Sequence, residues 1–193
     1  MNTGSNASDS NSAQLQDLAV APDVAPWVSA RAGLGNGFEG GLTASTRALR
    51  LDGRRAFEGE RFAFSVGLGG SALLAARPQS RNADGVFGGG FDVPLIVGLR
   101  SSSDLYSAWG GVRVGADFFS GQLDLGADQD PVSASGRHLR FGGVLGGRIG
   151  FRHVHGFLEL ELTYHDVAGS LGTASAALQG LTFTPAAGIL ITF

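Results

Sequence analysis

The chain has 193 residues, 32 of them glycine and none cysteine, with 16% charged residues and a net charge of -3. That length suffices for one domain with a substantial core. The near-neutral balance, with no basic-helix, RNP-like or zinc-finger pattern, gives no case for nucleic acid, and the lack of cysteine excludes disulfides, thiolate metal sites, thiol nucleophiles and a lipid-modified N-terminal cysteine.

Residues 1–25 are rich in Asn, Ser, Asp and Ala and lack a charged stretch followed by an apolar one, so they do not read as a secretory signal. They are expected to be a solvated, disordered tail, any export signal having been removed. No apolar run of about 18 residues occurs, so a membrane crossing by this chain has to be made with strands.

From Pro26 onward the apolar period is two. A first strand is expected over Val28–Leu34 and a second from Phe38 to about Ala48. FAFSVGLGGSALL puts Phe62, Phe64, Val66, Leu68, Ala72 and Leu74 on one face and Ala63, Ser65, Gly67, Gly69 and Ser71 on the other. FDVPLIVGLR sets Phe91, Val93, Leu95, Val97 and Leu99 against Asp92, Gly98 and Arg100. YSAWGGVRVGADF sets Tyr106, Val112, Val114 and Phe118 against Trp109, Arg113 and Asp117. LRFGGVLGGRIGF sets Leu139, Phe141, Leu145, Ile149 and Phe151 against Arg140 and Arg148. FLELELTYH sets Leu158, Leu160, Leu162 and Tyr164 against Glu159, Glu161, Thr163 and His165. A final run carries Leu181, Phe183, Ala187, Ile189, Ile191 and Phe193, making eight expected strands. Pro94 and Pro185 fall inside two of them and predict a bulge or local irregularity. The parity slips at Leu49 and Leu51.

Each expected strand is about 9 to 13 residues long, close to what a tilted strand needs to cross a bilayer. Connections after the first hairpin alternate short (DG at Asp52–Gly53, SSSD, RHVHG) with long (ARPQSRNADG, SGQLDLGADQDPVSASG, DVAGSLGTASAALQG), as in outer-membrane barrels. Threading the strands up and down collects Phe62, Tyr106, Phe151 and Phe193 at a lower rim and Phe38, Phe91, Phe118, Phe141, Tyr164 and Phe183 at an upper one. The ten-residue interval from Phe141 to Phe151 spans about 25 Å at a tilt of about 40°, the height of an apolar membrane band. The expected fold is therefore all-β: an eight-stranded antiparallel up-and-down transmembrane β-barrel over residues 26–193, preceded by a flexible tail over 1–25. A soluble lipocalin-like barrel has the same period with the faces exchanged.

The last strand resembles the C-terminal assembly signal of outer-membrane proteins, in which Gly, a hydrophobic residue and a final aromatic are set at fixed spacing. Gly188, Ile191 and Phe193 fit, while Ala186 stands where a polar residue is usual. As a whole the chain resembles the small eight-stranded outer-membrane family that includes the OmpA membrane domain and OmpX. The resemblance implies a bacterial outer-membrane location, outer-membrane lipid around the wall, and capture of the last strand by the barrel-assembly machinery. It brings no catalytic motif.

The face opposite the apolar one carries Arg31, Glu39, Asp92, Arg100, Arg113, Asp117, Arg140, Arg148, Glu159 and Glu161, five of each sign. Unpaired charges in a narrow lumen are costly, so these are expected to form a connected salt-bridge network, with Glu159 and Glu161 lying between arginines of other strands. The network reads first as a polar plug and second as a gated path for ions or small solutes.

Enzymatic and metal chemistry find less support. His165 and Asp166 are adjacent in an expected strand, so their side chains point to opposite faces. His153 and His155 fall in an expected turn with no third metal ligand, and Asp124, Asp128 and Asp130 lack the spacing and final Glu of a calcium loop. Gly35, Gly37 and Gly40 match G-x-G-x-x-G, but no helix follows. The expectation is a non-enzymatic outer-membrane protein with no cofactor or metal, serving as an anchor or as a subunit that binds an envelope or surface partner. The alternatives are a narrow channel and a lipid-modifying enzyme.

Overall fold

The computed structural model describes residues 26–45, 48–73, 87–103, 105–123 and 132–192. The N-terminal tail, Leu74, the Asp124–Asp130 loop and Phe193 lie outside the described residues. Among the described residues nine strands follow one another: β1 (Trp27–Gly35), β2 (Phe38–Ser45), β3 (Ala48–Glu58), β4 (Phe62–Leu73), β5 (Phe87–Arg100), β6 (Tyr106–Leu123), β7 (Val132–Phe151), β8 (Val154–Leu171) and β9 (Ala174–Ile191). All are antiparallel, in a single sheet whose hydrogen-bonded order is the order of the chain.

The count is nine rather than eight because Ala48–Glu58, read from the sequence as a connector at Asp52–Gly53, is a strand paired on both sides. The parity slip marks its start. Ala44 of β2 faces Leu49 of β3, and paired residues share a face, so an even-numbered apolar series is answered by an odd-numbered one. The added strand also moves Phe38. It pairs with Arg55, near the tight end of the sheet where Phe62, Tyr106 and Phe151 lie, and so leaves the upper rim to Phe91, Phe118, Phe141, Tyr164 and Phe183.

Two further expectations change. Most of DVAGSLGTASAALQG lies within β8 and β9, which meet at a tight Gly172–Thr173 turn with Gly172 at φ 60°. β6 to β9 accordingly run 18, 20, 18 and 18 residues. Pro185 faces Leu160 in an unbroken ladder and disturbs nothing, whereas Pro94 keeps the register but interrupts the β4–β5 ladder between Leu95 and Asp92, a local irregularity as expected. Where the sequence reads Asn36–Gly37, the φ values are 53° and 75°, as a type I′ hairpin requires.

The sheet is strongly curled. Long side chains meet on one face across backbones two strands, or nearly 10 Å, apart, as Arg50 of β3 and Asp92 of β5 do at 2.8 Å. Trp27 of β1 reaches Phe157 of β8, ring centroids 6.0 Å apart. The expected pairing of last strand with first is not part of the described ladder, which ends at β1 and β9.

The two faces are inverted relative to a water-soluble core. Leu145, Ile149, Leu181, Phe183 and Ile189 on the convex face are 63 to 75% exposed. Buried groups on the concave face include Asp52, Asp92, His138 and Thr163.

Candidate functional site

The concave face carries one near-continuous band of charge and hydrogen bonds. Period-two strands put every second residue there, and the curl brings neighbours' long side chains into contact. At one end, Glu39 accepts from Arg54 and lies 3.8 Å from Arg31. Arg31 donates to Asp52 at 2.7 Å, and Asp52 accepts from Arg50 at 2.6 Å. Arg50 then forks onto Asp92 with Nε and Nη2 at 2.9 and 2.8 Å, the planar bidentate geometry that makes an arginine–carboxylate pair strong and directional. Asp92 lies 3.9 Å from Arg113, and Arg113 donates to Glu161 at 3.3 Å. Glu161 also accepts from the buried Thr163 hydroxyl at 2.8 Å. Farther up the wall, Arg140 donates to Asp117 at 3.0 Å, and Asp117 faces His138 at 3.2 Å. His138 meets His165, which meets Thr182.

Seven of the ten charges read from the sequence are thus joined: Arg31, Glu39, Asp92, Arg113, Asp117, Arg140 and Glu161. Three are placed differently. Glu159 accepts from the Trp109 indole at 2.8 Å instead of an arginine, Arg148 donates to the Ser107 hydroxyl at 2.9 Å, and Arg100 makes no ion pair among the described residues. Arg50, Asp52 and Arg54, all on β3, were missed because their strand was read as a turn. Their own spacing, R-x-D-x-R, is a period-two polar face and carried the signal. His138 sits one residue before the expected start of its strand.

Glycines make room for these groups. A Cβ at Gly69 would lie 2.5 Å from Arg50 Nη2 and 2.7 Å from Asp92 Oδ1, and one at Gly41 would lie 2.7 Å from Arg31 Nη2. A narrow curled wall accommodates arginine forks only where the opposing position has no side chain.

The histidines of HVH part company. His153 occupies the β7–β8 turn and donates from Nδ1 to the Thr192 carbonyl at 3.0 Å, whereas His155 belongs to β8 and is buried. Among the described residues no three His, Asp or Glu side chains converge on a metal position.

The ten interface aromatics read from the sequence divide by level. Phe38, Phe62, Tyr106 and Phe151 lie near the tight turns, Phe91, Phe118, Phe141, Tyr164 and Phe183 lie toward the other end, and all nine are exposed. Phe193 is outside the described residues, so of the expected assembly signal only Gly188 and Ile191, both in β9, are placed. A Cβ at Gly188 would lie 2.7 Å from the Phe157 ring, which spreads over it and receives Trp27. No protein-family profile, curated protein or solved structure matches the chain.

Proposed function

We propose that this chain is a non-enzymatic, integral outer-membrane protein of the β-barrel type, acting as an anchor or as a subunit that engages an envelope or surface partner through its rims. The observation that carries the reading is the inversion of its faces. An exposed apolar patch on a soluble monomer rarely exceeds a few hundred Å², yet here the convex wall is apolar along most of its strands while the buried side holds carboxylates and arginines. Lipid around the wall satisfies that pattern, and closure of the sheet into a barrel removes its two edges. The likeness to the OmpA and OmpX family is part of the same proposal. The ion pairs on the concave face favour a filled interior over a conducting one.

Electrophoretic mobility in SDS, with and without boiling after extraction in mild detergent, tests the reading. A fast unboiled band that slows on heating is the expected result. No shift, together with solubility in plain buffer, refutes it and points to a soluble sheet with its faces assigned the other way.

A further inference from the structure

Four side chains from four consecutive strands form one line, an ion-pair contact followed by two hydrogen bonds. Asp117 Oδ2 on β6 lies 3.2 Å from His138 Nδ1 on β7, His138 Nε2 lies 2.7 Å from His165 Nδ1 on β8, and His165 Nε2 lies 2.7 Å from the Thr182 hydroxyl on β9. The two rings are nearly coplanar, 20° apart, with centroids separated by 5.0 Å, a distance they reach at this N···N contact only when the nitrogens meet head-on. His138 is buried, its ladder partner Val167 is fully buried, and Phe119 is also buried nearby. The charged groups around the line are Asp117 and Arg113 from β6, Arg140 from β7 and Glu161 from β8, while β9 supplies the Thr182 hydroxyl.

The donors and acceptors in this line are not free to choose. Asp117 accepts from Arg140 and presents an acceptor to His138, so His138 Nδ1 carries a proton toward it. If His138 is neutral, its Nε2 accepts from His165 Nδ1–H, His165 Nε2 is left as an acceptor, and Thr182 donates. Adding one proton reverses the His138–His165 and His165–Thr182 bonds without moving a heavy atom: His138 Nε2–H now donates to His165 Nδ1, and His165 Nε2–H donates to Thr182 Oγ1. A second added proton places N–H groups face to face across 2.7 Å and breaks the line.

We propose that Asp117, His138, His165 and Thr182 form a proton relay across the concave wall, binding one proton and passing it between the Thr182 end and the Asp117–Arg140 end. The Thr182 hydroxyl, taking a proton from hydronium at its oxygen, gives its own to His165 Nε2, His165 Nδ1 releases its proton to His138 Nε2, and His138 Nδ1 passes its own to Asp117. Each transfer forms one bond to hydrogen and breaks one. The relay goes beyond the anchoring role and does not depend on it.

The test is nitrogen NMR of the folded full chain, with its four histidines assigned by single His→Gln variants. Wild type is expected to show through-hydrogen-bond coupling between His138 Nε2 and His165 Nδ1. The pair should titrate in two separate steps, the coupling surviving the first and vanishing at the second. In His138→Gln, His165 should titrate in one step at a changed midpoint, while His153→Gln leaves the pair as in wild type. Absence of coupling at every pH, its loss with the first proton, or a His165 titration indifferent to His138→Gln overturns the relay. The coupling is read in wild type, so the proposal stays testable if a variant fails to fold.

Discussion

Replacing Arg50 with methionine removes three hydrogen bonds at once: the fork onto Asp92 and the 2.6 Å bond to Asp52. The two carboxylates are left unequal. Asp52 keeps Arg31 at 2.7 Å, whereas the one ion pair left to Asp92 among the described residues is Arg113 at 3.9 Å, and each has a side chain 5% exposed. A buried charge stripped of its main partner costs about 3 to 5 kcal/mol, and Arg50→Met is expected to fall in that range. Arg31→Met is the comparison. Asp52 then retains Arg50 and Glu39 retains Arg54 at 2.6 Å, so the expected cost is about 1 kcal/mol. Adding Asp92→Asn to Arg50→Met removes the orphaned charge and should recover about 2 kcal/mol. Denaturant titration in mild detergent, followed by the fluorescence of Trp27 and Trp109, measures all three. Equal costs for Arg50→Met and Arg31→Met, or no recovery in the double variant, would show that the concave charges are individually solvated and refute the network as a source of stability.

Three other expectations follow from local geometry. Gly111→Ala drives a Cβ into the Leu95 carbonyl and to 2.9 Å from Ile96 Cα, so it should cost about 1 to 3 kcal/mol, while Gly33→Ala, with no atom within 4 Å, should fall within about 0.5 kcal/mol of wild type in the same titration. Leu145→Arg, at a convex position 64% exposed, is expected to destabilise the bilayer-inserted protein by about 2 to 4 kcal/mol and to abolish the heat-sensitive fast band; unchanged assembly counts against lipid contact. Trp109→Phe leaves Glu159 without its indole donor and should cost about 1 to 3 kcal/mol by denaturant titration, with Glu159→Gln as the milder change.

Much of the wall was legible because strand period does not depend on tertiary context: Phe91–Leu99 and Leu139–Phe151 alternate as they read. Leu49 and Leu51 mattered more as an exception, since the break in parity marked β3, while Asp52–Gly53, a common turn dipeptide, continued the strand under pairing from both sides. Turn chemistry also misled at residues 166–180, where small and polar residues read as a loop but pair continuously up to Leu171 and again from Ala174. Opposite charges on one face foretold pairing, but not partners. Which arginine meets which carboxylate depends on stagger and curl, so Glu159 found an indole and Asp92 found Arg50. His165 drew notice beside Asp166, its neighbour in sequence, whereas its partners His138 and Thr182 come from flanking strands.

The contact between Trp27 and Phe157 joins residues about 130 apart, whereas every ladder in the sheet joins strands adjacent in the chain. Hairpins between successive strands can zip one after another, each closing a short loop, but Trp27 meets its partner only after the intervening strands have aligned. The two tryptophans therefore time different events during refolding. Trp109 reports when the middle of the wall forms, and Trp27, left as the single indole in Trp109→Phe, reports when the ends of the curl come together, a slower phase that shortening the segment between β4 and β5 should accelerate.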